Sequence, residues 1–368
     1  MVLAKRNLYL CSQLLNLYNS IVLQSTAEAG TAADLVLADT SDFSQIQERL
    51  AAHGLFENIY QFNVLGRLNQ IKAEGREALQ AAGEDPLGSF MLPELTHTYT
   101  DLYVHLDSYA AKFFYYALVK QGMHLQVHFV NEGSASYAMD FSNTVSDAIL
   151  HEQYGEDAFL NRIGNLWVYE PELYVGGVEK LVLKTLPKAA TEDKALRALL
   201  RDVFGAARPI AQKVIYFEGT FAGDGMLVNE MDLVNAVAKA VGKENMIVKR
   251  HPRNPRDRFS PAGFQVMENQ NVPWEIMLLD LDIADKLLVS VASFAGIAPM
   301  EMYGMAPYTL LLNKLLLGRV YFLESPGYKR FFDQAISIYN RDQTRIWRPE
   351  SMIELETVLR WYRLKYLA

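Results

Sequence analysis

Short apolar runs alternate along the chain with longer stretches whose apolar positions recur at helical spacing. NLYLC (residues 7–11) reads as a first strand, followed by a helix over 12–24. ADLVLAD (33–39) is an apolar run closed by Asp-Thr-Ser-Asp, which predicts a strand ending in a turn and a helix cap. A helix is expected over 43–56 with Gly54 closing it, then a strand over 58–63 and a helix over 65–83. YTDLYVH (99–105) and HLQVHFV (124–130) read as strands on either side of a helix over 108–122, whose KFFYYAL segment is core. A second series begins near residue 210. It has strands over 212–220, 245–250, 286–293 and 319–324, helices over 227–242 and from about 296, and a closing helix over 351–367.

Two alternating strand–helix series predict an α/β chain with two doubly wound domains. The stretch 183–212, charged at first and ending in Gly-Ala-Ala-Arg-Pro, lies between them; the boundary is placed near residue 206, giving domains 1–205 and 206–368. The length of 368 residues suits two domains better than one, and a 50% hydrophobic composition supplies their cores. The net charge of −8 argues against a general nucleic-acid binder but leaves room for a local anion site.

Cys11 is the single cysteine, so no internal disulfide forms; in an apolar strand it reads as a small core residue, and a cytoplasmic location is expected. The apolar stretch after Lys5 and Arg6 is interrupted by Ser12, Gln13, Asn16, Asn19 and Ser20, which counts against a signal peptide. No run is long enough for a transmembrane helix: YTLLLNKLLLGRVYF (308–322) is broken by Asn313, Lys314 and Arg319. The seven histidines lack metal-ligand spacing, so no metal is expected. His53, His97 and His151 have no evident partners in the sequence and read as ordinary structural or surface residues.

In open α/β sheets ligands sit beyond the carboxyl ends of the strands, and four strand ends carry candidate chemistry. HFVNEGSASY (128–137) runs into Glu132, a candidate general base, and Gly133, which permits a tight turn; a turn acid capping the next helix is the plainer alternative. IYFEGTFAGDGM (215–226) holds a glycine-rich loop around Gly219 and Thr220 with the acids Glu218 and Asp224. Its backbone N–H groups suit a phosphate, although its spacing is no known nucleotide fingerprint. IVKRHPRNPRDRF (247–259) places dense positive charge in an acidic chain. Pro252 fixes the backbone beside His251, and Lys249, Arg250 and Arg253 add positive potential; a solvated basic turn is the alternative. LLVSVASFAGIAPM (287–300) delivers Ser290 and Ser293 to a strand-to-helix turn, where they would hold phosphate or cap the helix.

A carboxylate in one domain, and a glycine-rich loop, a His-Pro turn and a serine turn in the other, suit an enzyme that holds a nucleotide-sugar phosphate and activates a sugar hydroxyl. The ordered series NLYLCSQLL, VNEGSASY, LWVYEPELY, YFEGTF, VKRHPR and PWEIMLLDLDIADKLLVSVASFA resembles the bacterial sialyltransferases of glycosyltransferase family 52, and more distantly the bacterial polysialyltransferases. The chain departs from that pattern at Ser12, where the family has Thr-Pro before its Gln, at Asn131, and at Ser-Phe-Ala after residue 292.

The resemblance implies a GT-B fold of two Rossmann-like domains facing a cleft, with the last helix crossing back, and a metal-independent, inverting transfer from CMP-sialic acid without a cofactor. It implies Ser12 and Gln13 on the acceptor side. Glu132 or Asp224 would be the base, with Glu132 preferred, and His251 would protonate or hydrogen-bond the leaving phosphate. Gly219, Thr220, Pro252, Arg253, Ser290 and Ser293 would sit at the donor, with Glu275 on its ribose or base. Expected partners are a nucleotide-sugar donor and a glycan acceptor, lipid-linked or soluble. A homodimer is left open, as is a peripheral membrane contact through the closing helix at Trp361, Tyr362, Arg363, Lys365 and Tyr366. A hexosyltransferase using a UDP-sugar, and a non-catalytic nucleotide- or sugar-binding relative, are the alternatives.

Overall fold

The computed structural model describes residues 4–105, 108–138, 145–177, 181–188, 191–268 and 272–367, with the backbone alone at 145–148. The chain divides into two compact units, Met1–Val203 and Phe204–Ala368. The first contains strands β1 (Arg6–Cys11), β2 (Ala32–Ala38), β3 (Ile59–Phe62), β4 (Asp101–Val104), β5 (Gln126–Val130), β6 (Ile163–Val168) and β7 (Val182–Thr185). They form one parallel sheet in the order β3-β2-β1-β4-β5-β6-β7. The second contains β8 (Val214–Phe217), β9 (Met246–Lys249), β10 (Gln265–Val266), β11 (Leu287–Ser290), β12 (Tyr308–Leu311) and β13 (Ile346–Trp347), again all parallel, in the order β10-β9-β8-β11-β12-β13.

Each sheet therefore starts in its middle, winds outward to one edge, and returns to wind the other way. This doubly wound order leaves a crevice beyond the carboxyl ends of the two strands where the winding reverses. In the first unit those strands are β1 and β4; in the second they are β8 and β11. The strands are apolar along their length because helices cover both faces: Leu8 to Cys11 and all of β8 and β11 are buried. The alternation of β5 has a different cause. His128 is buried, bonds Asp101 Oδ1 through Nε2 (2.7 Å), and stacks on Tyr103 at 4.6 Å.

Several predicted elements shift. The helix expected over 65–83 is two helices, Leu65–Glu74 and Arg76–Glu84, because Gly75 between them takes a left-handed φ of 82°. The strand expected over 319–324 is a short helix, Tyr321–Glu324, with Tyr321 exposed and Arg319 paired to Glu324. Its place in the sheet belongs to β12, wholly buried beside β11. The stretch read as a link between domains holds β7 and the helix Lys194–Phe204.

The closing helix, Met352–Tyr366, completes the second unit's core with Leu355, Leu359 and Tyr362, all fully buried. The Tyr362 hydroxyl reaches the carbonyl oxygens of Lys213 and Asp285 at 3.1 and 2.7 Å. Tyr362 thus faces the core and offers nothing to a membrane. No helix among the described residues is long and apolar enough to cross one.

Candidate active site

In the first unit the crevice holds a cavity of about 80 Å³, lined by Leu10 and Ser12 at the end of β1, Gln13 and Asn16 at the start of the helix Leu14–Ser25, Val104 and His105 at the end of β4, Ser108 and Ala111 at the start of the helix Tyr109–Lys120, and Glu132 after β5. Gln13 Nε2 donates to Glu132 Oε1 at 3.0 Å, so three of the residues singled out from the sequence meet here. The turn that presents Glu132 is built locally. Asn131 Oδ1 accepts from Gly133 N (2.8 Å), Glu132 N donates to Ser136 Oγ (2.7 Å), and Gly133 takes a φ of 91° that a side chain would resist. Asn19 Nδ2 ties the Asn131 carbonyl to the helix at 2.7 Å.

His105, in the cavity wall, is a residue the sequence reading passed over. Its ring lies between Ser20 Oγ (3.0 Å from Nε2) and the Asn131 carbonyl (3.4 Å from Nδ1). Burial pushes its pKa down to about 3, so the ring is neutral, with Nδ1–H donating and Nε2 accepting. Ser20 Oγ in turn contacts Cys11 Sγ at 3.3 Å, and burial pushes that thiol up to about 12. Cys11 is a core residue with no thiolate character.

In the second unit the register brings three strand ends level: Phe217 pairs with both Lys249 and Ser290. Beyond them, His251-Pro252-Arg253-Asn254 forms a turn closed by Asn254 N to His251 O (3.0 Å), with proline at its second position, where its fixed φ is favourable. Glu218 holds the turn from below through Oε2, which accepts from His251 N at 2.9 Å. His251 Nδ1 accepts from Arg253 N (3.2 Å), which leaves the Nε2 position to carry the proton of the neutral ring.

Beneath the turn lies a buried charge cluster of Glu218, Glu230 and Arg258, of which only Glu218 stood out in the sequence. Arg258 Nη2 donates to Glu218 Oε1 (2.8 Å) and Glu230 Oε2 (2.5 Å), and both carboxylates are fully buried. Glu230 Oε1 also accepts from Tyr216 Oη (2.9 Å) and Gly219 N (2.7 Å). The Gly219 N–H, expected to face a phosphate, is thus spent on Glu230, and the Gly219 carbonyl accepts from Asn254 Nδ2 at 2.8 Å. The glycine-rich loop packs against the His-Pro turn: a Cβ on Gly223 would stand 2.6 Å from the Arg253 carbonyl oxygen. Thr220 O accepts from Asp224 N (2.9 Å), and Asp224 Oδ1 lies 3.6 Å from Arg253 Nη1, so Asp224 braces the turn.

Burial pushes the His251 pKa down to about 4; the charges of Arg253 and Lys249 add to this and that of Asp224 opposes it. Burial likewise lowers Lys249 to about 8, with Glu275 opposing, and raises the carboxyl of Glu275. Glu275 is buried in the short helix Trp274–Met277, whose Trp274 packs edge-on against Phe217. Ser290 Oγ accepts from Ser293 N (3.1 Å), and Ser293 Oγ accepts from Ala295 N (3.2 Å). Both serines therefore shape the turn and keep a hydroxyl proton to donate. The helix after them, Ala298–Tyr303, begins beyond Gly296. No group of three or more His, Cys, Asp or Glu residues that could hold a metal occurs among the described residues. His53, His97 and His151 do have partners, in Asp202, Glu57 and Asn161.

No family model and no curated protein sequence matches the chain. Solved structures do. The α/β-galactoside α-2,3-sialyltransferase of Photobacterium phosphoreum is similar with a TM-score of 0.52 at 11% identity, over 94% of this chain and 98% of that one. The fold class is GT-B. Lower scores are found for the calicheamicin glycosyltransferase CalG4 (0.46, 11% identity, 100% and 95% of the two chains) and for Acinetobacter baumannii MurG (0.43, 12% identity, 98% and 93%). At these identities the likeness reaches the fold and stops short of donor and acceptor.

Proposed function

We propose that the chain is a glycosyltransferase that moves sialic acid from CMP-sialic acid to a glycan hydroxyl, with inversion and without a metal. The observation that carries this reading is the His251 turn. It is fixed by Glu218, Asn254 and Pro252 at the reversal of the second sheet, with Arg253 in the turn itself, Lys249 and Ser290 level at the neighbouring strand ends, and Ser293 bonded to Ser290. That arrangement offers one oriented imidazole N–H, two hydroxyls and a positive field to a single phosphate, a diester in the donor and a monoester in the departing CMP. In the first unit Glu132 offers a carboxylate that lines a cavity of about 80 Å³.

In the proposed reaction Glu132 takes the proton from the acceptor hydroxyl, whose oxygen bonds to the anomeric carbon from the face opposite the phosphate. The anomeric carbon–phosphate oxygen bond breaks, and its electron pair leaves with CMP. His251 acts as a neutral donor through Nε2–H, and the growing phosphate charge draws its pKa upward from about 4 as the bond breaks. Asp224 is a bracing residue for Arg253 in this scheme. A lipid-linked acceptor, peripheral membrane contact and a homodimer remain compatible with it.

Calorimetric titration of the purified chain with CMP, UDP and GDP tests the donor assignment. CMP binding that weakens about ten- to a hundredfold in His251→Ala, with UDP ignored, is expected, the worth of one hydrogen bond to a charged phosphate. Binding of UDP in place of CMP would move the reading to a UDP-sugar hexosyltransferase. Binding of CMP with no turnover on any acceptor would move it to a non-catalytic relative.

A further inference from the structure

We infer that Asn16 is a specificity-determining residue that, together with Glu132, selects a pair of neighbouring hydroxyls on a neutral sugar acceptor. The inference rests on the reading of the Glu132 cavity as the acceptor site. Asn16 is 1% exposed and lines that cavity. Its Oδ1 accepts from Ser12 N at 3.1 Å, which fixes the orientation of the carboxamide. Its Nδ2 then has no hydrogen-bond partner among the described residues. A buried amide N–H left without an acceptor is costly, and such groups in native proteins call for an explanation.

The surroundings say what the missing acceptor is. Gln13 and Asn16 are three residues apart at the start of one helix and so share a face, and Gln13 contacts Glu132. The cavity thus carries a carboxylate, which accepts, and an unpartnered amide, which donates. One hydroxyl giving its proton to Glu132 and the oxygen of the adjacent hydroxyl accepting from Asn16 satisfies both. The helix Leu14–Ser25 also begins here with no capping side chain and no acid in its first turn, adding donor character to that wall. An anionic occupant would face Glu132 at close range, so a neutral polyol fits better.

The rest of the lining is largely apolar: Leu10, Val104, Ala111 and the ring of His105, whose two nitrogens are spent on Ser20 and the Asn131 carbonyl, with Ser12 and Ser108 beside them. A pyranose has the matching character, with C–H groups on one side and hydroxyls on the edge. The cavity's volume of about 80 Å³ admits the diol edge of one ring.

Ligand-observed saturation-transfer NMR on the full chain tests this with methyl galactoside, glucoside and mannoside and their monodeoxy forms. At least one parent glycoside is expected to bind. Deletion of the hydroxyl facing Asn16 is expected to weaken it about two- to tenfold, the range for one uncharged hydrogen bond, and deletion of the one facing Glu132 by more, since that acceptor is charged. Asn16→Asp keeps the acceptor for Ser12 N and removes the donor, so it is expected to abolish the difference between the parent and the deoxy form that lacks the hydroxyl facing Asn16, while the hydroxyl facing Glu132 is still read. Failure of every parent glycoside to bind overturns the inference, as does full discrimination by a folded Asn16→Asp chain. If that variant does not fold, the deoxy series on the native chain decides: equal binding of parent and all deoxy forms overturns it. CMP titrated into the same sample separates the two readings. CMP bound without any glycoside sinks this inference alone, whereas glycosides discriminated without CMP bound sinks the donor assignment alone.

Discussion

Replacing Arg258 with methionine should destabilise the second unit far more than removal of a half-exposed arginine normally would. Glu218 and Glu230 are both fully buried, and Nη2 of Arg258 donates to each, at 2.8 and 2.5 Å. Without the guanidinium, Glu230 keeps Tyr216 Oη and Gly219 N, and Glu218 keeps His251 N, all uncharged donors. Removing one partner of a buried ion pair costs about 3–5 kcal/mol, because the charge left behind is uncompensated. Here two carboxylates depend on one cation, so the upper end applies. For a unit spanning residues 204–368 about 5 kcal/mol corresponds to a Tm lower by about 10–20 °C. Thermal and urea unfolding followed by tryptophan fluorescence reads this directly, since Trp274, Trp347 and Trp361 lie in the second unit and Trp167 in the first. The triple variant Arg258→Met, Glu218→Gln, Glu230→Gln removes the orphaned charges and should recover at least half of the loss. A loss under about 1 kcal/mol in the single variant, or no recovery in the triple one, would refute the argument that this cluster is held by mutual charge compensation.

Three further outcomes are expected. His105 has a folded pKa of about 3 against an unfolded value near 6.5, so the unfolded chain takes up the proton first as pH falls. Its contribution is intact above about pH 6.5 and is lost toward pH 3 at up to about 1.4 kcal/mol per unit; His105→Gln should partly flatten that limb in urea melts, His251 titrating in the same window, and an unchanged slope would refute the assignment. Gly223→Ala places a Cβ 2.6 Å from the Arg253 carbonyl oxygen and 2.7 Å from Asn254 Oδ1, so it should displace the His251 turn, cost about 1–3 kcal/mol and weaken CMP binding; near-native stability and affinity would show that the loop yields freely. Cys11, buried with its thiol pushed up to about 12, should resist iodoacetamide at neutral pH in the native chain and react readily in urea, as followed by intact mass.

The periodicity of the chain disclosed what depends on local pattern. Apolar runs at 7–11, 33–39 and 287–290 are strands because parallel strands buried on both faces need little else. Gly133 and Pro252 mark turns through their own backbone preferences, which is why Glu132 and His251 could be singled out. Features made by distant residues stayed hidden. Arg258 looked like one more charge in a basic run, and only the fold sets it over Glu230, 28 residues away, and Glu218, 40 away. Asn16 counted merely as a polar interruption after the first strand. Its significance lies in an amide with no partner among the described residues, which no sequence displays. The strand expected over 319–324 failed for a related reason: β12 had the same apolar character and the better burial, and it took the sheet position.

Turnover decides whether the chain transfers sialic acid with Glu132 as base. Native chain, Glu132→Gln and Asp224→Asn would each be incubated with CMP-sialic acid and a panel of neutral glycans in the presence of a chelator, with CMP release and product mass followed together. Coupled CMP release and a sialylated product are expected from the native chain. A loss of about 10²–10⁴-fold is expected in Glu132→Gln, the usual worth of a general base, and a much smaller loss in Asp224→Asn. Near-native turnover by a folded Glu132→Gln chain, or transfer from a UDP-sugar with CMP-sialic acid untouched, would contradict sialyl transfer with Glu132 as base.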